Sequence, residues 1–268
     1  MQDLRISLVQ ANTLWHDPAG NRDYYATLIK PLAGTTDLVI LPETFSSGFS
    51  NDVIEQAETM DGPTVKWLLQ QSRFLNAAIT GSVQLRVDRH VYNRLLWVTP
   101  EGNIQYYDKR HLFRYAGEHK RYANGHKRLC VQWKGWRINP QICYDLRFPV
   151  FCRNRYNNER SEDMDFDLQL FVANWPSSRS YAWQTLARAR AIENLCYVAI
   201  VNRVGIDGNG LHYSGDSAVI DFNGQGQLEI RHNEQVATTC INAQALINYR
   251  KQFPAMLDAD TFILKVNK

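Results

Sequence analysis

The sequence is short of several things, and each shortage excludes something. Its 268 residues include five cysteines, at positions 130, 143, 152, 196 and 240, an odd number with no CxxC pair. That spacing suggests neither a disulfide framework nor a cysteine zinc site, and it fits a reducing compartment. No apolar run approaches the roughly 18–20 residues that cross a bilayer. The run after Met1-Gln2-Asp3-Leu4-Arg5 is too short and too early for a signal peptide, so the expected location is cytoplasmic. Charge of one sign is also missing. A net charge of +3 gives no field to attract nucleic acid or an anionic membrane, and neither is expected as a partner. The basic cluster from His119 to Arg128 is broken by Tyr122 and Gly125 and reads as a solvated loop face. Gly205 to Gly210 is glycine-rich, but it lacks the lysine of a phosphate-binding loop and opens no helix. Repeats and low-complexity segments are absent. What remains is 44% hydrophobic and 21% charged, an ordinary globular composition with enough apolar residues for a core that needs no staple.

Strand and helix patterns alternate along the whole chain. Arg5 to Gln10 alternates polar and apolar residues and predicts a strand, and Asp17-Pro18 predicts a helix start, the helix running to about Leu32. Asp37 to Leu41 is the continuous apolar run of a strand covered on both faces. A second helix follows Gly62-Pro63-Thr64, with Val65, Leu68, Leu69 and Ser72 on one face. Strands are predicted at 77–85, 91–98, 104–107, 136–142, 168–173 and 196–201, then at 217–222, 227–230 and 236–241 before a C-terminal helix. Ser177 or Ser178 caps a helix with Ala182, Leu186, Ala189 and Ile192 on one face. The polar stretch from Arg153 to Asp167 reads as a helix end and an exposed loop, because core-like strands resume beyond it. With no break in composition, residues 1–268 are expected to form one α/β domain, helices covering a mixed sheet.

Three residues stand just beyond predicted strands. Glu43 follows the buried run 37–41, Lys109 follows 104–107, and Cys143 follows 136–142 at a bend into a helix-compatible segment. Strand ends in layered α/β folds can converge on one cleft. A thiol at a helix N-terminus, beside an ammonium, has its thiolate stabilised. A carboxylate can take the thiol proton and later activate water. The thiolate then attacks an amide or nitrile carbon, and Lys109 with the Tyr144 backbone N–H stabilises the oxyanion. Phe45 and Phe49, in the loop after Glu43, are placed to line a pocket. Each residue alone has a plainer reading, as a solvated glutamate, a surface lysine or a buried cysteine.

Pro42-Glu43-Thr44-Phe45, Tyr107 to Phe113 and Cys143-Tyr144-Asp145-Leu146-Arg147-Phe148-Pro149 resemble the three signature segments of the nitrilase superfamily, the carbon–nitrogen hydrolases. Ala173-Asn174-Trp175-Pro176, Arg188 to Asn194 and Gly215-Asp216-Ser217 continue the resemblance in order, so that it spans nearly the whole chain. Within the superfamily the chain is most similar to the omega-amidases. The resemblance implies a four-layer αββα sandwich, a homodimer, and no cofactor or metal. It implies hydrolysis of the terminal amide of a small 2-oxo acid amide, 2-oxoglutaramate or 2-oxosuccinamate, through a thioester on Cys143. Glu43, Lys109 and Cys143 match the family triad, and Glu118 matches a second glutamate that orients the lysine. Tyr144 and Trp175 fall in segments beside the expected pocket. Arg114 and Arg147 are candidates for a substrate carboxylate, which suits a bidentate guanidinium, or are structural ion-pair residues.

The resemblance leaves other readings to weigh. A nitrilase or an N-carbamoyl amidase would share these residues. A Cys–His protease would need His111 as its base, and a non-catalytic binding protein could stand on the same fold.

Overall fold

A computed structural model of the chain describes residues 1–52, 54–157 and 163–264. The first half contains β1 (Leu4–Gln10), α1 (Pro18–Ile29), β2 (Leu38–Ile40), α2 (Pro63–Leu75), β3 (Ala78–Val87), β4 (His90–Val98) and β5 (Ile104–Asp108). Next come β6 (Val131–Trp133), β7 (Trp136–Ile142), a short α3 (Pro149–Cys152), β8 (Tyr156–Asn157), β9 (Asp163–Met164) and β10 (Leu168–Ala173). Then follow α4 (Ser180–Asn194), β11 (Tyr197–Asn202), β12 (Val204–Ile206), β13 (His212–Ser214), β14 (Ser217–Ile220), β15 (Gly226–Ile230), β16 (Gln235–Ile241) and α5 (Ala243–Gln252).

Two six-stranded mixed sheets carry the fold, ordered β16-β1-β2-β3-β4-β5 and β15-β14-β11-β10-β7-β6. The residue-based expectation of one mixed sheet is thus corrected to two, as the family resemblance implied. Strand periodicity explains why two layers form. On β1, Leu4, Ile6 and Leu8 enter the core between the sheets, while Val9 faces Tyr25 and Ile29 of α1 and Val65 and Leu68 of α2. β4 divides the same way, with Leu95 and Trp97 inward and Leu96 and Val98 toward the helices. On the second sheet, Trp183, Ala187 and Ala191 of α4 pack into the core. The result is an αββα sandwich. β16 crosses back from the far end of the chain to pair antiparallel with β1, Leu4 opposite Ile241.

Local chemistry sets the helix ends. Asp17 caps α1 by accepting from Gly20 N at 2.8 Å, with Pro18 in the first turn. Three expectations need correction. The helix after Cys143 is a five-residue 3₁₀ segment, Cys143–Arg147, followed by the four-residue α3. The helix expected to be capped by Ser177 or Ser178 has Arg179 at its N-cap, because Ser177–Arg179 form a 3₁₀ turn of their own. Its fully buried stripe is Trp183, Ala187, Arg190, Ala191 and Asn194, with Ala182 and Leu186 at the margin and Ile192 half exposed. Counting only apolar residues missed this stripe, because Arg190 and Asn194 go inside to hydrogen-bond Leu146 O and Cys152 O. In the polar stretch 153–167, residues 158–162 lie outside the described residues, and β8 pairs with β9 on either side of them.

Candidate active site

Parallel pairing aims the strand ends the same way. β1, β2 and β3 run parallel, as do β7, β10 and β11, and two antiparallel steps return β5 to the direction of β3. Glu43, Lys109, Cys143 and Asn174 all lie just beyond the C-terminal ends of such strands. Two turns there are sharp. Thr44 and Cys143 adopt positive φ, 42° and 44°, a left-handed conformation uncommon for these residue types that here re-aims the chain at the cleft. Behind Cys143, the buried Asp145 carboxylate accepts from Ile142 N at 3.1 Å and Tyr107 Oη at 2.8 Å. It also accepts the His111 backbone N–H at 2.9 Å, and His111 Nδ1 lies 2.7 Å from it. One carboxylate therefore joins the cysteine turn to the lysine segment.

The centre of the cluster is a buried ammonium between two carboxylates. Lys109 Nζ, 1% exposed, donates to Glu43 Oε1 at 2.8 Å and to both Glu118 oxygens at 3.0 Å. Glu43 Oε2 accepts from Asn174 N at 2.8 Å, and Asn174 Nδ2 donates to the Glu43 carbonyl at 2.7 Å. Phe113 N bonds Glu118. Burial would lower the lysine, but the charges of Glu118 and Glu43 outweigh it and hold the ammonium well above its ordinary range. Burial pushes Glu118 up, with the like charge of Glu43 adding and Lys109 opposing. The Cys143 thiol is pushed well above its ordinary range, first by burial and then by the facing Glu43 charge, against Lys109. The sequence-based expectation that a helix N-terminus and an ammonium lower the thiol is outweighed here by burial and the Glu43 charge. The 3₁₀ turn is too short for a developed dipole, and the pocket excludes the water a thiolate needs. A neutral thiol instead faces a carboxylate able to take its proton.

A pocket of about 60 Å³ opens over these groups. Phe49, Phe113, Tyr144, Arg147, Trp175, Arg179, Leu211 and Tyr213 are among its walls. Of the residues named from sequence, Glu43, Phe49, Lys109, Cys143, Tyr144, Arg147 and Trp175 line it, and Glu118 lies directly behind Lys109. Phe45 does not. It is fully buried, against Tyr25 and Trp67 on the helix side of the first sheet, because the turn at Thr44 sends the next side chain the other way. Arg114 is also outside the lining and lies exposed on a 3₁₀ turn. His111 does not face the thiol; it stacks on Phe148, ring centroids 3.8 Å apart, and bonds Asp145.

Sequence reasoning missed Asn93, Asn174, Asp145, Arg179, Leu211 and Tyr213. Asn174 and Arg179 follow a buried strand, as Glu43 does, and that position was a usable signal. Leu211 and Tyr213 arrive on the β12–β13 hairpin, which no local pattern ties to the cleft. The mouth carries two cations. Arg147 lies 4.9 Å from the Trp175 ring centroid and Arg179 lies 5.4 Å from that of Phe113. Among the described residues, no group of three His, Cys, Asp or Glu side chains is placed to hold a metal ion.

Two sheets back to back, with a thiol, two carboxylates and an ammonium gathered beyond their strand ends, make an αββα sandwich with a candidate active site. The family model for carbon–nitrogen hydrolases matches residues 5–251, and the chain belongs to that family. It is 45% identical over 267 residues to the omega-amidase YafV of Escherichia coli (strain K12), covering 98% of this chain and 100% of that one. It is 29% identical to a 2-oxoglutaramate amidase of Bacillus subtilis, over 94% of this chain and 96% of that one. Among solved structures, XC1258 of Xanthomonas campestris superposes with a TM-score of 0.98 at 71% identity, covering 99% of this chain and 100% of that one. XC1258 is a CN-hydrolase superfamily protein with an arsenic adduct in its active site.

Proposed function

We propose that this chain hydrolyses the terminal amide of a small 2-oxo acid amide, 2-oxoglutaramate or 2-oxosuccinamate, to the 2-oxo acid and ammonia. The observation that carries the reading is a neutral, buried thiol set beside one carboxylate of a Glu43–Lys109–Glu118 cluster. Glu43 takes the Cys143 proton as sulfur attacks the amide carbon. The oxyanion forms between Lys109 Nζ and the Tyr144 N–H, a donor of the kind worth about 3–4 kcal/mol in the transition state. Collapse of the adduct transfers the proton from Glu43 to the leaving nitrogen, and ammonia departs from a Cys143 thioester. Glu43 then takes a proton from water, hydroxide adds to the thioester, and the thiol leaves with that proton restored. Glu118 shares the ammonium with Glu43 and keeps it aimed at the cleft.

Support comes from three sides. The omega-amidase YafV and the 2-oxoglutaramate amidase are relatives along nearly their whole length. Arsenic is a thiophile, so the adduct in XC1258 fits a reactive thiol in this pocket. Among the described residues, Arg147 and Arg179 lie over aromatic rings and are not in ion pairs, which leaves both guanidiniums available for a substrate carboxylate. The nitrilase and N-carbamoyl amidase readings use the same thiol. Ammonia release across 2-oxo amides, plain amides, nitriles and carbamoyl amino acids separates them, since a carbamoylase also yields carbon dioxide. Cys143→Ala is expected to abolish ammonia release with the circular dichroism spectrum unchanged; retained turnover overturns the proposal.

The same reading takes residues 1–268 as one hydrolase domain forming a homodimer in a reducing compartment. Supporting it are the β1–β16 pairing, the exposed Tyr181 and Ile192 on α4, and five free cysteines. Sedimentation velocity tests the dimer, and a monomer at assay concentrations overturns that part.

A further inference from the structure

Asn93 on β4 touches neither the pocket nor solvent, yet it bonds both buried carboxylates. It is 1% exposed, and its Nδ2 donates to Glu43 Oε1 at 2.8 Å and to Glu118 Oε1 at 3.4 Å. Its backbone carbonyl accepts from Lys109 N at 3.0 Å, so the same residue also seats the lysine. Both side-chain neighbours are acceptors, which determines which way the amide points. The consequence is that Asn93 Oδ1 is buried with no hydrogen-bond partner among the described residues, an unfavourable arrangement that an apolar residue of similar size would avoid. The donors, rather than the packing, account for an amide here.

The oxygens of Glu43 are not equivalent. Oε1 accepts from Lys109 Nζ and from Asn93 Nδ2, both at 2.8 Å, which occupies its two in-plane lone pairs. Oε2 accepts only from Asn174 N among the described groups, leaving one lone pair free. The terminal torsion of a glutamate is broad, so without the Asn93 donor the carboxylate plane can swing between its remaining donors. We infer that Asn93 is a positioning residue that holds the plane of the Glu43 carboxylate so that the oxygen not bonded to Lys109 stays aimed to receive the Cys143 proton. This rests on the reading of Glu43 as the base. The charged and titratable groups around that carboxylate are Lys109, Glu118, Cys143 and Tyr122, and Asn93 is its neutral side-chain donor among the described residues, beside the Asn174 backbone N–H.

The test uses the full chain carrying Asn93→Leu, which keeps about the size and loses both donors without adding a charge, and Asn93→Ser, which loses the reach. Rates are taken per thiol titrated, so that misfolded protein is not counted. Both variants are expected to lose about 10- to 100-fold in kcat, part of the contribution of a general base, with KM little changed. The acid limb of kcat/KM moves to higher pH, because a carboxylate that loses a donor to its charged form protonates more readily. Unchanged kcat with an unmoved limb overturns the inference. So does a fall in titratable thiol at normal rate per site, or failure of both variants to accumulate folded protein, since either makes Asn93 a folding residue. Glu43→Gln separates this from the reading beneath it. If that variant turns over normally the base assignment falls, whereas a dead Glu43→Gln beside normal Asn93 variants removes only the positioning role.

Discussion

At the residue scale the informative feature is that Cys143 rests as a thiol. Burial is the first cause and the Glu43 charge the second, so the carboxylate proposed as the base also keeps the sulfur protonated before substrate arrives. Glu43→Gln therefore moves two observables in opposite directions. Amide turnover is expected to fall by about 10²- to 10⁴-fold, the contribution of a general base. Alkylation of Cys143 by iodoacetamide shifts its midpoint to lower pH, because the opposing charge is gone while Lys109 remains. A midpoint that stays or rises shows that Glu43 does not face the thiol. Lys109 adds a second pH statement. Its folded-state value is raised, so its ammonium contributes stability that is complete below the ordinary lysine range and is lost only as pH climbs through the raised value. The residues that carry this chemistry were legible in sequence because each stands at a strand end. Asn93 and Asp145 were not. Asn93 stands mid-strand, and Asp145, though inside the third signature segment, carries no mark of its own role; their partners Glu43 and Tyr107 lie 50 and 38 positions away.

At the element scale, strand pleat and helix caps predicted most of the layers, and close approach decided the rest. Gly81 on β3 is one such place. A Cβ there would stand 2.8 Å from Leu41 Cβ and 3.0 Å from Phe45 Cδ1, both fully buried side chains flanking Glu43. Gly81→Ala is expected to destabilise by about 1–3 kcal/mol through overpacking, read as a lower urea midpoint. It should also lower kcat, since relief moves the turn at Pro42–Thr44. A neutral effect on both would show that this strand has room. α4 teaches the converse. Its apolar pattern located the helix but shifted the buried stripe, because two of its inward residues are polar and hydrogen-bonded.

At the scale of the whole molecule, buried carboxylates fasten separate parts of the sandwich. Asp37 beside β2 bonds Arg5 of β1 and Lys134 of the β6–β7 turn, while its carbonyl accepts Trp133 Nε1 at 2.9 Å, so the two sheets are tied at one edge. Asp167 accepts from Arg137 on β7 and, at 2.6 Å, from Arg250 on α5. Burial resists ionisation in both, yet the paired cations hold both carboxyls below the ordinary range. Their contribution is present above the unfolded value near 4 and is lost as pH falls through the depressed folded values. The urea midpoint is therefore expected to fall as pH drops below about 4. Asp37→Asn should be less stable at neutral pH and show a shallower acid loss; an equally steep loss would place the dependence elsewhere.

The sequence by itself determined most strands of the two large sheets, the starts of the first two helices, the family, and which residues at strand ends are chemically equipped. Those properties are local: the two-residue pleat, the preferences of Asp, Pro and Gly at caps, and short motifs whose spacing the chain carries with it. Only the tertiary structure decided that Phe45 turns into the core while Phe49 faces the cleft, and that Arg179 rather than Arg114 joins Arg147 at the mouth. It also decided the protonation of Cys143. Water exclusion and the placement of charges far apart in sequence set that state, and neither exists until the sheets have packed.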